Sequence, residues 1–283
     1  MKKNWTVNEI SRQVHRVTFT NIRAGWEQYV LIKADDHYDS AHCDRDLLSR
    51  HHREAVARGA PVFCFGDLFD AMQGKWDKRA DQNQLRPEHR GNNYLDKLVN
   101  TATDYYGKFA DSLALITPGN HEQSILDRHQ TNITERLVTN LRHKSDTVHM
   151  GGYWGFVLFT FGCGKPITKQ LHYHHGYGGG GEVTRGFIDN NRTRGQYNAD
   201  IFVSGHVHRR NMDENIITEC TGNGAIALRK QLFLRASTYK NETDGWHATK
   251  GRAARPIGGW WLRFSYRTTK AAHHIDMQAI AAN

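Results

Sequence analysis

Long apolar runs are missing from this 283-residue chain. None approaches the roughly eighteen consecutive apolar residues that a membrane-spanning helix requires. The opening stretch, MKKNWTVNEISRQVHRV, has two lysines but not the apolar core of a secretory signal. Cysteine is sparse: Cys43, Cys64, Cys163 and Cys220 are scattered with no CxxC pair. That argues against a zinc knuckle and for reduced thiols in a cytoplasmic protein that does not associate with membrane. No internal repeat and no low-complexity tract occurs, which sets aside solenoids and disordered chains.

What remains is an ordinary globular composition, 38% hydrophobic and 24% charged. The length exceeds the common one-domain size, yet α/β layers of this size often form one domain. The expectation is a single domain over 1–283. Two polar, basic insertions interrupt it near 71–93 and 176–198, and each leaves from a loop that carries a motif. Two quantities stand out. The formal charge is +9, which favours anionic partners. Histidine occurs eighteen times, which directs attention to metal.

Short apolar runs bounded by turn residues read as strands buried on both faces. They are Tyr29–Ala34, Pro61–Phe65, Leu113–Thr117, Gly155–Phe161, Thr168–Tyr173 and Ile201–Ser204. Helical periodicity lies between several of them, over 44–58 (closed by Gly59), 94–110 and, more weakly, 123–142. Strands alternating with helices predict an α/β layered fold. From about Gly222 the chain reads as mixed strand and loop that closes the same domain.

Five motifs follow five of these strands: Asp35-Asp36-His37, Gly66-Asp67-Leu68-Phe69-Asp70, Gly119-Asn120-His121-Glu122, His174-His175-Gly176 and Gly205-His206-Val207-His208. Ligand sites of open α/β sheets gather at the C-terminal ends of strands. The set combines carboxylates, imidazoles and one amide, which suits a pair of divalent cations. Two such ions need a shared anionic ligand, and Asp67, after a glycine turn, is the candidate bridge. Asp35 and His37, two apart in extended backbone, point to one side and can reach one ion, leaving Asp36 to face away. His206 and His208 repeat that spacing. Asn120 offers a neutral amide oxygen suited to Mn²⁺. One imidazole comes from the 174–175 pair, and His175 is preferred because it shares a strand side with Leu171 and Tyr173. Taken singly, each motif is commonly just a turn or a chance pair; their order and placement carry the reading.

The series resembles the DxH, GDxxD, GNH[DE], H and GHxH motifs of the calcineurin-like metallophosphoesterases, over about residues 30–210. The resemblance implies a four-layer α/β/β/α sandwich. It implies that Asp35, His37, Asp67 and His208 hold one ion, and that Asp67, Asn120, His175 and His206 hold the other. The metal would be Mn²⁺ by preference, with Fe, Zn²⁺ or Ni²⁺ compatible. His121 would protonate or stabilise the leaving oxygen, oriented by Asp70, while a hydroxide held by the two ions attacks phosphorus in line. The protein phosphatases of this superfamily carry Arg-Gly after GDxxD. Ala71-Met72 stands there instead, which lowers that branch.

Basic residues in the insertions are the candidate substrate contacts: Lys75, Lys78, Arg79, Arg86 and Arg90 in the first, with Arg185, Arg192 and Arg194 in the second. Trp76 and Tyr94 could stack on bases. The favoured substrate is a nucleic-acid or nucleotide phosphodiester. A phosphomonoesterase on small phosphorylated substrates is the alternative, and a catalytically silent nucleic-acid-binding protein is the alternative of another class. Gly178–Gly181 reads as a hinge for the segment that follows rather than a P-loop, because no Lys-Ser/Thr succeeds it. The sequence does not fix an oligomeric state.

Overall fold

A computed structural model of the chain describes residues 3–73, 80, 85–178, 184, 186–243, 249, 251, 253–268 and 273–283. In chain order the elements are β1 (Trp5–Ser11), β2 (Val14–Phe19), β3 (Glu27–Lys33), α1 (Arg45–Arg58), β4 (Val62–Phe65), α2 (Tyr94–Tyr106), β5 (Leu113–Thr117), α3 (Asn120–His129), α4 (Ile133–Arg142) and β6 (His149–Met150). Then come β7 (Trp154–Phe161), β8 (Ile167–His174), α5 (Phe187–Gln196), β9 (Ile201–Ser204), β10 (Asn211–Cys220), β11 (Ile226–Arg235), β12 (Trp260–Thr268) and β13 (His273–Ala281). Every described helix is too short and too polar to cross a membrane.

The strands form two sheets, one ordered β13-β12-β3-β4-β5-β6 and the other β1-β2-β7-β8-β9-β11-β10. In the first, β3 to β6 run parallel, and β12 and β13 close one edge antiparallel. Strands β4 and β5 are wholly buried, as two-sided burial requires of parallel strands. Aromatic rings fill the space between the sheets. Phe19, Phe159, Phe161 and Phe264 pack with centroids 5.0–6.2 Å apart, and Phe65 stacks on Tyr173 at 4.7 Å. Helices α1 to α4 cover the outer face of the first sheet through Leu48, Leu98, Val99, Tyr106, Ile125, Leu137 and Leu141. Helix α5 lies on the outer face of the second, where Arg194 covers the Phe233 ring and Arg235 pairs with Asp189 at 3.2 Å. Two packed sheets between two helical layers make a four-layer α/β/β/α sandwich.

Local chemistry sets the helix limits. Asp44 caps α1 by accepting from Leu47 N–H, and Gly59 ends it in the left-handed region. The expected helix over 123–142 is two helices. Gln130 closes α3 with φ of 53°, and Asn132 then caps α4 by accepting from Glu135 N–H. A polar side chain competing for backbone N–H groups there outweighs the weak apolar periodicity. The stretch beyond Gly222 is more regular than expected: β11, β12 and β13 complete both sheets. The first strands, β1 and β2, carry no motif and pair into the second sheet beside β7.

Beneath the motif loops lies a buried ion pair. Asp36 turns away from the other motif residues, accepts a 2.6 Å hydrogen bond from Tyr106 Oη and contacts Lys33 Nζ, both charged partners being fully buried. Burial alone would lower the Lys33 pKa, but the Asp36 carboxylate overrides it and the pKa is raised. Removing one partner leaves the other charge stranded. Lys33→Met is therefore expected to cost about 3–5 kcal/mol in urea unfolding, while Lys33→Met with Asp36→Leu recovers most of that loss. Equal destabilisation in the single and double variants would sink this account of the pair.

Candidate metal centre

The five motifs converge where the C-terminal ends of β3, β4 and β5 meet those of β8 and β9. Asp35, His37 and His208 form one group whose ligand atoms lie within 4.8 Å of one another. Asp67, His175 and His206 form a second. Asn120 joins the second group, its Oδ1 standing 2.7 Å from His206 Nδ1 and 3.0 Å from His175 Nε2. His174 does not join: its Nδ1 accepts from Gly176 N–H, and its ring faces Tyr177.

The backbone that presents these side chains is not extended strand. Asp35, His37, Asp67, His206 and His208 all have φ between 45° and 70°, in the left-handed region that costs a non-glycine residue free energy. The i, i+2 convergence of Asp35 with His37, and of His206 with His208, thus comes from tight turns beyond the strand ends. Glycines make room for the same loops. A Cβ on Gly119 would collide with Asp67 Oδ1, and one on Gly205 with Asp35 Oδ2.

Residues behind the cluster fix which ring nitrogens carry protons. His37 Nδ1 faces Asp70 Oδ1 at 2.8 Å, His208 Nδ1 donates to Glu242 Oε1, and His175 Nδ1 donates to the Phe65 carbonyl at 2.9 Å. Each neutral imidazole then turns a lone pair inward through Nε2. Yet His37 Nε2 and His208 Nε2 meet at 3.0 Å, and His175 Nε2 meets Asn120 Oδ1 at 3.0 Å and Asp67 Oδ2 at 3.2 Å. Acceptors facing acceptors repel unless a positive charge sits among them. Two points need such a charge, one in each group. Divalent cations fit this donor set of carboxylate, imidazole and amide oxygen.

In the protein without cations, protons supply that charge. Burial opposes it, but the carboxylates of Asp67 and Asp35 raise His175 to about 10, and Asp35 with Glu242 raises His208 to about 10. Burial also opposes charge on Asp67, but the rings of His121 and His175 hold it well below the usual carboxylate range. Because both histidines are raised above the unfolded value near 6.5, their contribution to stability is complete below that pH. It is lost as pH rises toward about 10. Metal-stripped protein should therefore lose thermal stability between those limits, and metal-loaded protein should not. Metal uptake near neutral pH should release about two protons, read as the dependence of calorimetric enthalpy on buffer ionisation. A release near zero would remove the cations from this cluster.

Asp70 and His121 are adjacent but not paired through the Asp70 carboxylate. His121 Nδ1 donates to the Asp70 backbone carbonyl, and its separation from Asp70 Oδ1 is 4.0 Å. The carboxylate serves His37 instead and is held by Lys240 Nζ at 3.1 Å. His121 Nε2 stands 3.7 Å from Asp67 Oδ2, and the His121 side chain is 10% exposed.

Four supporting residues were not anticipated. Glu122 accepts from the N–H groups of Asp67, Phe69 and Gly119 and so ties two motif loops together; burial and the Asp67 charge raise it to about 7. Asp39 accepts from Asp70 and Ala71 N–H and from Tyr94 Oη, so the Tyr94 hydroxyl braces the second motif loop. Lys240 and Glu242 reach the cluster from beyond residue 222. Glu122 stands in the third motif and Asp39 two residues after the first, whereas no local pattern marks the last two.

Of the basic residues expected at substrate, Lys75, Lys78, Arg79 and Arg185 lie outside the described residues, as does Trp76. Arg86 donates to the carbonyls of Ser40 and Cys43, and Arg90 to that of Leu85. Arg194 pairs with Asp213 at 3.6 Å, and Arg192 is exposed on α5. Residues 187–196 form a helix against the outer face of a sheet, where Asp189, Asn190 and Thr193 line a cavity with Gly176 and Gly205 of the motif loops. Gly178 has φ of 79°; the rest of the expected hinge, 179–181, is outside the described residues.

No family model matches the sequence, and no curated protein does. Among solved structures the chain is similar to a predicted phosphoesterase from Streptococcus pneumoniae, at 12% identity over 92% of each chain with a TM-score of 0.37. It is also similar to a metallophosphoesterase from Sphaerobacter thermophilus, at 10% identity over 89% of this chain and 88% of that one, TM-score 0.35. A third is Vacuolar Protein Sorting 29 from Cryptosporidium parvum, at 13% identity over 90% and 99%, TM-score 0.36.

Proposed function

We propose that this chain is a calcineurin-like metallophosphoesterase, a hydrolase of phosphoesters that uses two divalent cations and favours phosphodiesters of nucleotides or nucleic acid. The observation that carries the reading is the convergence of acceptors at two adjacent points, with Asp67 facing both His175 and His121. Asp35, His37 and His208 would hold one cation, Asn120, His175 and His206 the other, and Asp67 both. A bound pair supplies Lewis acidity toward the phosphoryl oxygens and lowers the pKa of water.

The chain's own residues do the rest. Asp70, Glu242 and the Phe65 carbonyl fix the imidazole tautomers. Glu122 holds the second and third motif loops in register. His121, anchored through Nδ1 by the Asp70 carbonyl, keeps Nε2 beside Asp67, from where it delivers a proton to the departing oxygen. No side chain is placed to serve as a covalent nucleophile in this reading. The positive charge of the chain, +9, favours anionic substrates in general and leans toward polymers carrying several phosphates.

Metal-stripped protein given Mn²⁺ should hydrolyse bis-p-nitrophenyl phosphate faster than p-nitrophenyl phosphate. Preference for the monoester would turn the assignment to a phosphomonoesterase. Activity on neither, with metal bound, would leave a silent binding protein.

A further inference from the structure

A second group of metal-ligating side chains stands at the edge of the sandwich, where the N-terminal hairpin meets the last strand of the first sheet. None of them belongs to the five motifs. Glu9 of β1 and His15 of β2 are direct cross-strand partners in the second sheet. His149 comes from β6, the edge strand of the first sheet. One ligand atom from each of the three lies within 4.8 Å of the others. His149 Nδ1 and Glu9 Oε2 stand 3.6 Å apart. That is near the ~3.4 Å that two ligands keep from each other on a tetrahedral zinc ion.

Positive charge is already drawn to this point. The Arg142 guanidinium, at the end of α4, faces Glu9 Oε2 at 3.5 Å and donates through Nη2 to His149 Nδ1 at 3.1 Å. His149 Nδ1 is therefore an acceptor with its hydrogen elsewhere. His15 is left out of that arrangement. It is fully buried, and among the described residues it alone has both ring nitrogens buried without a hydrogen-bond partner. The Met150 backbone approaches its ring without making a hydrogen bond of ordinary geometry. Burial lowers the His15 pKa to about 4, so the ring is neutral and keeps a lone pair for a metal. Arg142 thus serves two of the three groups, whereas a cation among them serves all three. The Arg142 side chain is 45% exposed, so it can give way by turning into solvent. Two imidazoles and one carboxylate suit Zn²⁺ better than Mg²⁺ or Ca²⁺, which prefer oxygen alone. Three protein ligands leave a fourth position to water, on the side where Glu9 is exposed.

We propose that Glu9, His15 and His149 form a zinc site that clamps the first hairpin of the second sheet to the edge of the first. It stands apart from the phosphoester reading, because none of the three residues touches the motif loops' ligand groups. The test compares the full chain with the double variant Glu9→Gln/His149→Ala, two positions that are exposed and half-buried. After dialysis against buffered micromolar Zn²⁺, the wild-type chain should hold one more zinc than the folded variant, whatever number the motif loops bind. Folding is checked by circular dichroism. Equal zinc in the two folded proteins overturns the proposal. Anomalous diffraction at the zinc edge, from wild-type crystals grown with Zn²⁺, reads the same site without a variant. A peak is expected about 2.0–2.2 Å from a Glu9 oxygen and from one ring nitrogen each of His15 and His149. The absence of a peak there overturns the proposal. So does a peak on Glu9 and His149 that leaves His15 uncoordinated, which would be an adventitious ion only.

Discussion

Asp67→Asn is expected to lower kcat/KM for a phosphodiester by about a thousandfold or more while leaving the fold in place. The substitution keeps the volume and keeps an oxygen for the His121 N–H, which Asp67 Oδ1 accepts at 3.0 Å. What it removes is the negative charge of the candidate bridging ligand, which faces His175 at 3.2 Å. Without that charge two divalent cations repel each other at close range, and metal catalysis of this type supplies several kcal/mol of transition-state stabilisation, each 1.36 kcal/mol being tenfold in rate. Bound Mn²⁺ per chain should fall with the rate. Activity within tenfold of wild type would show that Asp67 does not bridge.

The second large effect is at His121. His121→Ala should reduce kcat by about 10²–10⁴ on a diester whose leaving group is an alkoxide, with bound metal unchanged. The loss should shrink markedly when the leaving group is p-nitrophenolate, which departs without a proton. That dependence separates a proton donor from a merely structural residue: if His121 only packed between Asp67 and Asp70, both substrates would suffer alike. Loss of metal in this variant would place His121 among the ligands instead.

The sequence made the strands with motifs legible because each is a short apolar run ended by a glycine or a polar turn. Leu113–Thr117 and Ile201–Ser204 match their expected limits, and the helix over 45–58 ends at Gly59 as read. The inward-facing residues were legible for the same reason: aspartate, histidine and asparagine recur at strand ends. How they converge was not. The left-handed φ of Asp35 and His208 has no local signature, because aspartate and histidine enter that region more often than other non-glycine residues but still only in a small minority of positions. The Asp39, Lys240 and Glu242 contacts were invisible because they depend on which loops the fold brings together, and Lys240 reaches Asp70 across 170 residues. Asp70 shows the limit of motif reasoning. It was expected to orient His121, but its carboxylate turns to His37 and its backbone carbonyl to His121. Arg86 shows a different limit. Charge on a polar insertion says that a side chain wants solvent or an anion, and Arg86 found backbone carbonyls instead.

Anomalous diffraction at the manganese edge, from crystals of the chain grown with Mn²⁺, tests the central claim most directly. Two peaks are predicted, about 3.5–4 Å apart, with Asp67 between them, His37 and His208 against one, and His175 and Asn120 against the other. A single peak, or peaks away from Asp67, would contradict the dinuclear centre and the mechanism built on it.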